Sequence, residues 1–180
     1  MKFFTPELYI RYNSTDDAEA DRADEDWEKA IRDYKNHLTK HSKDMNDRVK
    51  DLAEMLCLHD AELLSIQEDV PSSYTPPLFF PFPVATISLK DNGNITNLVY
   101  FLWSEIGQSR PEEEWPFSKL RTHWLYDELD VERHPPYFPR YWHRILLSDG
   151  RVISIPFFDV IIQSFSQQNP ETAIITKKRA

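Results

Sequence analysis

The sequence has one cysteine, Cys57, and three glycines among its 180 residues. A lone cysteine cannot close a disulfide within the chain or build a zinc site from cysteine pairs, so we expect a reducing compartment. With so few glycines, and without a Walker, G-x-G-x-x-G or G-x-S-x-G segment, neither a phosphate-binding loop nor a nucleophile elbow is expected. We therefore expect no cofactor.

Basic charge and long apolar runs are also scarce. The chain has 21 Lys and Arg residues against 30 Asp and Glu residues, a net charge of −9 that repels phosphates, so nucleic acid is not the expected partner. The N-terminus lacks the apolar core of a signal peptide, and no run approaches the ~20 apolar residues that a membrane span needs. These features predict a cytoplasmic protein that does not enter a membrane.

Apolar and aromatic side chains are abundant, at 41% and 13% of the residues. This content and the chain length suit one domain, 1–180, with a sizeable core. The apolar period changes from helical to extended between Leu56 and Ile66, which predicts an α+β fold. The predicted parts are a helical part at 1–58, a sheet part at 59–166 and a loose tail at 167–180.

The first part should contain three helices. Thr5-Pro6 is typical of a helix start, and a short helix should run to about Asn13. Asp16 should cap a helix of about six turns, because apolar residues recur there at three- and four-residue steps. Asp44 should cap a third helix over about 45–58. The second and third helices should form an antiparallel helical hairpin packed on the sheet.

The sheet should be antiparallel, with about five or six strands. Its clearest element is a hairpin around Asn92-Gly93, the strongest short signal for a two-residue turn. With that turn, Ile87 should face Leu98. Further strands are predicted at about 61–67 and 124–129.

A second hairpin is predicted around Asp149-Gly150. If these two residues also form a two-residue loop, Leu146 should lie opposite Ile153, and Trp142 opposite Phe157. This face of the hairpin should then be the core face.

Two loops, 74–83 and 135–142, combine prolines with aromatic rings. Prolines reduce the entropy that a loop loses on docking, and aromatic rings are common binding anchors. Such rings either fold over the sheet as lids or form a contact surface for a partner, and both alternatives are open. The candidate binding residues are Phe79, Phe80, Phe82, Tyr137, Phe138, Tyr141 and Trp142.

Histidines and acids offer two alternative sites. An imidazole beside a carboxylate can act as a base with its orienting group, so His59, Asp60 and His143 form the alternative catalytic set. Two histidines and a carboxylate can hold a metal ion, so His123, Asp127 and His143 form the alternative metal set. No diagnostic spacing such as H-E-x-x-H occurs, and a polar pair at a helix end usually has a structural role. Neither set is therefore favoured.

Three stretches carry distinctive motifs: 1–9 with Phe-Thr-x-Glu-Leu-Tyr, 58–63 with a His-Asp-Ala step, and 145–152. Together they resemble a group of small, uncharacterised bacterial proteins, and the last two are also similar in layout to toxin-immunity proteins. The resemblance covers these stretches only. It implies no known activity and assigns no catalytic residue.

The favoured hypothesis is a protein-binding module: an inhibitor, an immunity-like protein or an accessory subunit of a bacterial assembly, with another protein as its partner. The acidic chain, the aromatic loops and the lack of a recognisable catalytic motif favour it. The alternative is a small metal-dependent hydrolase that uses the histidines described above. The sequence thus favours a non-enzymatic role and leaves an enzymatic one open.

Overall fold

The computed structural model describes residues 1–54, 58–69, 82–111, 114–117, 120–132 and 139–166. In this part of the chain, helices come first and an antiparallel sheet follows, which confirms the α+β class. The last helix ends at Glu54 and the first strand begins at Glu62, so the change of period in the sequence marks the boundary between the two parts.

The first two helices agree with the sequence prediction. Helix α1 spans Pro6–Tyr12 and helix α2 spans Asp17–His41. The side chains of Thr5 and Asp16 cap them by accepting hydrogen bonds from amides of the first turns. Helix α1 packs against α2. The buried residues of α2 are Ala23, Trp27 and Ala30.

The third helix is shorter than predicted. Helix α3 spans Asp47–Glu54, and Ser42–Asp44 forms a separate 3-10 turn before it. Asp44 is therefore not the cap; Asn46 takes that role, because its Oδ1 accepts a hydrogen bond from the Val49 amide at 3.0 Å. Helix α3 packs on the last strand of the sheet, whereas α2 packs on α1 and on the fifth strand. The predicted helical hairpin is thus only partly confirmed.

Seven strands belong to one antiparallel sheet in the described part of the chain. Their order is β1-β2-β3-β7-β6-β5, and the short β4 pairs with β7 outside this path. The strands are β1 (Glu62–Asp69), β2 (Val84–Asp91), β3 (Asn94–Leu102), β4 (Gly107–Ser109), β5 (Trp124–Glu132), β6 (Arg140–Leu147) and β7 (Val152–Ser166).

The β2–β3 hairpin has the predicted register. Ile87 pairs with Leu98, and both side chains are buried. Asn92 and Gly93 have φ values of +47° and +82°, as a two-residue type I′ turn requires. The turn residues and the alternation of apolar side chains therefore specify the same pairing.

The β6–β7 hairpin is one residue out of the predicted register. Leu146 does not pair with Ile153, and Trp142 does not pair with Phe157; their partners are Val152 and Pro156, respectively. The predicted core face of this hairpin is therefore wrong for β6 but right for β7, where Ile153 and Phe157 lie in the main core.

The cause of the shift is a loop of three residues instead of two. The Leu147 amide donates a hydrogen bond to the Arg151 carbonyl at 2.9 Å, which leaves 148–150 as the loop. Gly150 has a φ of +82°, the left-handed conformation that a three-residue hairpin loop needs at its last position. Because a shift of one residue exchanges the two faces of a strand, Tyr141 and His143 point into the interior of the sheet.

The sheet curls until its two ends approach each other. An isolated bridge joins Glu62 to His123, and the Leu63 amide donates to the Thr122 carbonyl at 2.8 Å. The main core lies on the concave side, where α3 contributes its buried apolar residues. Helices α1 and α2 cover part of the opposite side through an aromatic cluster built around Trp27.

Candidate functional site

A cleft of about 1040 Å³ opens beside the 3-10 turn, where the start of β6 meets β3 and β7. Among the described residues, four with aromatic side chains line it: Phe82, Phe101, Tyr141 and Phe158. We call this site the aromatic cleft. Phe82 is 53% exposed, and its ring meets that of Phe158 at a centroid distance of 5.5 Å. The cleft therefore presents apolar rings to solvent.

A β-bulge places Phe158 in the cleft. Phe101 pairs with Asp159 and Leu102 pairs with Phe157, so Phe158 is the extra residue between two regular pairs. A bulge changes the direction of a side chain relative to the regular alternation of the strand. Phe157 is accordingly fully buried in the core, while Phe158 is only partly buried and lines the cleft.

Tyr141 fixes one wall of the cleft. Its side chain is 2% exposed, and its hydroxyl donates a hydrogen bond to the Asp44 backbone carbonyl at 2.9 Å. Burial raises the pKa of this hydroxyl, so Tyr141 remains a donor at neutral pH. Strand β6 is thereby tied to the 3-10 turn, and the cleft exists before any ligand arrives.

Charged residues surround the aromatic rings. Asp159 is held by Arg48 at 2.8 Å and by the Asn46 side-chain amide at 3.2 Å. Arg140 places its guanidinium over the Trp103 ring, 4.9 Å from the centroid. The Arg140 Nε atom is buried and has no hydrogen-bond partner within the described residues. A third cation, Lys43, is exposed on the 3-10 turn.

Of the seven candidate binding residues, two come together in the cleft: Phe82 and Tyr141. Trp142 is not among the residues that line the cleft: its indole donates to the Glu132 carboxylate at 3.2 Å, and its ring packs against that of Trp103 at 4.9 Å. The remaining four lie outside the described residues: Phe79, Phe80, Tyr137 and Phe138.

A second polar arrangement lies in the core. His143, which is 0% exposed, has its Nδ1 atom 2.9 Å from the Tyr100 hydroxyl and its Nε2 atom 3.0 Å from the Asp127 carboxylate. The Trp124 indole donates to the other Asp127 oxygen at 2.9 Å. We call these residues the buried polar chain.

The proton positions in this chain follow from its partners. An ionised Asp127 carboxylate can only accept, so His143 donates through Nε2–H and accepts at Nδ1. Burial, and secondarily the charge of Asp127, raises the pKa of Tyr100 well above its usual value, so its hydroxyl is the donor to Nδ1. Both imidazole nitrogens are thus occupied, and neither is available to a metal ion or a substrate in this arrangement.

The other members of the two histidine sets have separate partners. His59 donates from Nδ1 to the Leu125 carbonyl at 2.7 Å, and its Nε2 atom lies 3.7 Å from the carboxylate of Asp60. His123 donates from Nδ1 to the Arg121 carbonyl at 2.9 Å. No three His, Cys, Asp or Glu side chains of the described residues are grouped as metal ligands.

The sequence did not reveal Phe101, Phe158 and Arg140 as residues of the cleft. Phe101 and Phe158 reach it through strand pairing and a bulge, which no local motif announces. The contact between His143 and Tyr100 was missed because the predicted register turned His143 outward. A three-residue reading of the Ser-Asp-Gly loop would have corrected that register.

The sequence matches no protein-family model and no curated protein. The resemblance stated above therefore stays a prediction. Among the helices of the described residues, none has the length and apolar character to cross a membrane.

Proposed function

We propose that the protein is a protein-binding module that holds an apolar segment of its partner in the aromatic cleft. An inhibitor, an immunity-like protein or an accessory subunit of a bacterial assembly would all work in this way. The observation that carries the proposal is the cleft itself, with Phe82 53% exposed beside Phe158.

The chemistry of the cleft favours binding. Apolar rings in a concave site release water when an apolar side chain enters, and such anchors supply most of the energy of many interfaces. The hydrogen bond from Tyr141 to Asp44 and the bulge at Phe158 hold the walls in place. Less conformational entropy is lost on binding when the site is already formed.

The alternative, a metal-dependent hydrolase, has one observation in its favour: His143 and Asp127 are in contact, as the metal set requires. However, His143 is fully buried and both of its nitrogens are engaged. A reaction there would require the core to open. The cleft is already open to solvent, and for that reason we prefer binding.

The test is selection of binders from a random-peptide library displayed on phage, with the purified full chain as the target. Selected peptides should bind Phe82→Asp at least about tenfold more weakly, since a charge at the mouth of the cleft opposes entry of an apolar side chain. The matched control is Phe165→Asp, because Phe165 is 54% exposed on β7 and does not line the cleft.

Two results would overturn the proposal. In one, the selection yields no binder above background. In the other, the selected peptides bind the Phe82 variant and the Phe165 variant equally well. Circular dichroism of both variants establishes that each is folded.

A further inference from the structure

We propose that the partner segment carries a carboxylate beside its apolar anchor, and that Arg140 binds this carboxylate. The occupant of the aromatic cleft is then an acidic–apolar segment of another protein. This inference rests on the proposed function and names the chemistry of the ligand.

The first supporting observation is the reversal of charge at the cleft. The whole chain has a net charge of −9, yet the charged residues that line the cleft in the described part of the chain are three cations and two acids: Lys43, Arg48, Arg140, Asp44 and Asp159. Arg48 and Asp159 form an ion pair at 2.8 Å and largely neutralise each other. The cleft is thus a locally basic site on an acidic protein, which attracts an acidic segment and orients its approach.

The second observation is the state of Arg140. Its guanidinium is held over the Trp103 ring at 4.9 Å, so the side chain has lost part of its freedom before any ligand binds. Its Nε atom is buried and lacks a hydrogen-bond partner within the described residues. Because this atom is shut off from solvent, a carboxylate in the cleft would pair with the terminal nitrogens of the guanidinium.

The nearest acid in register does not supply this partner. Glu132 lies opposite Arg140 in the β5–β6 pairing, but its Oε2 atom accepts a hydrogen bond from the Trp142 indole at 3.2 Å. The described hydrogen bonds and ion pairs join neither Glu132 nor Asp159 to Arg140. Trp103 therefore holds Arg140 in place, and no carboxylate of the described residues forms an ion pair with it at the cleft.

Arg140 suits a carboxylate better than Lys43 does. A guanidinium offers a planar fork of donors that matches the two oxygens of a carboxylate, and it can form these bonds while stacked on an aromatic ring. The exposed ammonium of Lys43 is a mobile point charge, worth little to an ion pair in water. We assign Arg140 as the group that recognises the carboxylate, and the aromatic rings as the site of the apolar anchor.

The experiment compares acid-containing peptides with their amide counterparts. Peptides selected from the displayed library should carry Asp or Glu close to a Phe, Leu or Trp. Each is then synthesised twice, once as selected and once with Asp and Glu replaced by Asn and Gln. The amide form should bind the wild-type protein about tenfold more weakly, because it loses a charge-assisted pair.

Variants of Arg140 test whether this residue causes the preference for the acid peptide over the amide peptide. Arg140→Gln should bind the acid and amide forms equally, and Arg140→Lys should keep part of the preference. The matched control is Arg32→Gln, since Arg32 is an exposed arginine of α2 and does not line the cleft. It removes the same charge and should leave the preference intact, which separates local recognition from the net charge of the protein.

The outcomes distinguish this inference from the proposed function. If binding depends on Phe82 but the acid and amide peptides bind alike, or if Arg140→Gln keeps the full preference, the carboxylate assignment is overturned and the cleft remains a binding site. If binding does not depend on Phe82, both proposals fall. The comparison of acid and amide peptides leaves the protein unaltered, so it stands even if Arg140→Gln does not fold.

Discussion

At the scale of single residues, the buried polar chain is the feature that most constrains the core. Tyr100, His143 and Asp127 come from three different strands, and their hydrogen bonds cross the concave side of the sheet. A buried polar group without a partner destabilises the fold, whereas a fully paired one specifies a single arrangement. The buried polar chain therefore favours a single register of β6, because a shift of one residue would move His143 away from Tyr100.

The effects of substitutions in the buried polar chain on stability should be strongly coupled. His143→Leu should lower the free energy of unfolding by about 2 kcal/mol, because the buried Tyr100 hydroxyl loses its acceptor. Adding Tyr100→Phe to it should recover about 1 kcal/mol, since the hydroxyl that lost its acceptor is then absent. Urea unfolding of the two single variants and the double variant gives the coupling energy directly.

The control is an exposed hydrogen bond between neighbouring strands. Thr96 and Ser164 lie 3.2 Å apart, oxygen to oxygen, on β3 and β7. The cycle of Thr96→Val and Ser164→Ala should show almost no coupling, because water replaces an exposed partner. If the effects of the Tyr100 and His143 substitutions are additive, as in the control pair, a structural role for the buried polar chain is contradicted.

At the scale of elements, the two hairpins show what the sequence can and cannot specify. Asn92-Gly93 has one common conformation, so the register of the first hairpin follows from counting. Asp149-Gly150 fits either a two-residue loop or the end of a three-residue loop, and the residues alone do not decide between them. Both faces of β6 are partly buried, so the hydrophobic pattern did not expose the error.

The turn at Gly150 is further constrained by packing. Its φ is +82°, and a Cβ atom added there would lie 2.8 Å from the Trp115 ring. Gly93 has the same φ of +82° with nothing within 4 Å, so it serves as the control. Gly93→Ala should cost about 1 kcal/mol of stability from the left-handed conformation alone. Gly150→Ala should cost about 1–3 kcal/mol more, because the ring must also move.

Thermal or urea unfolding of the two glycine variants measures this difference. Equal losses of stability would mean that Trp115 does not press on the turn. A further indication of the contact is the hydrogen bond that the Trp115 indole donates to the Ser148 carbonyl at 2.9 Å. Trp115 lies more than thirty residues before the turn, which is why no local pattern predicted the pair.

The same limit applies to the aromatic cleft. Prolines beside aromatic rings directed attention to Phe82 and Tyr141, and both line the cleft. Phe158 depends on a bulge, and Arg140 depends on its contact with Trp103, two features set by strand pairing. Sequence patterns therefore identified two side chains of the site, and only the folded sheet supplies the rest.

At the scale of the whole molecule, the N-terminal segment joins the helices to the sheet. The carboxylate of Glu128 on β5 is 1% exposed and accepts hydrogen bonds from the amides of Lys2, Phe3 and Phe4 at 2.6–2.7 Å. Phe4 then packs against Trp27 of α2. Three amides around one carboxylate satisfy a charge that would otherwise be costly to bury.

A second contact between these layers involves histidine. His37, near the end of α2, has its Nε2 atom 3.2 Å from the Asp130 carboxylate of β5, without the geometry of a hydrogen bond. Lys2 also pairs with Asp130, and the His41 ring lies 4.6 Å from that of His37. Burial lowers the pKa of His37, and the charges of His41 and Lys2 lower it further, although Asp130 acts in the opposite direction.

The lowered pKa gives the stability of the protein a defined dependence on pH. In the unfolded chain His37 has its ordinary pKa of 6.5, whereas in the folded protein its pKa is lower. The folded protein therefore binds this proton only at a lower pH. The contribution of neutral His37 to stability is fully present above pH 6.5, and it is lost as the pH falls through the pKa of the folded protein. His37→Gln should therefore reduce the loss of stability between about pH 7.5 and about pH 5.5, measured by urea unfolding.

His123→Gln is the control, because the His123 ring bonds instead to the Arg121 carbonyl. If both variants keep the wild-type pH profile, the contact of His37 with Asp130 between α2 and β5 does not carry this dependence.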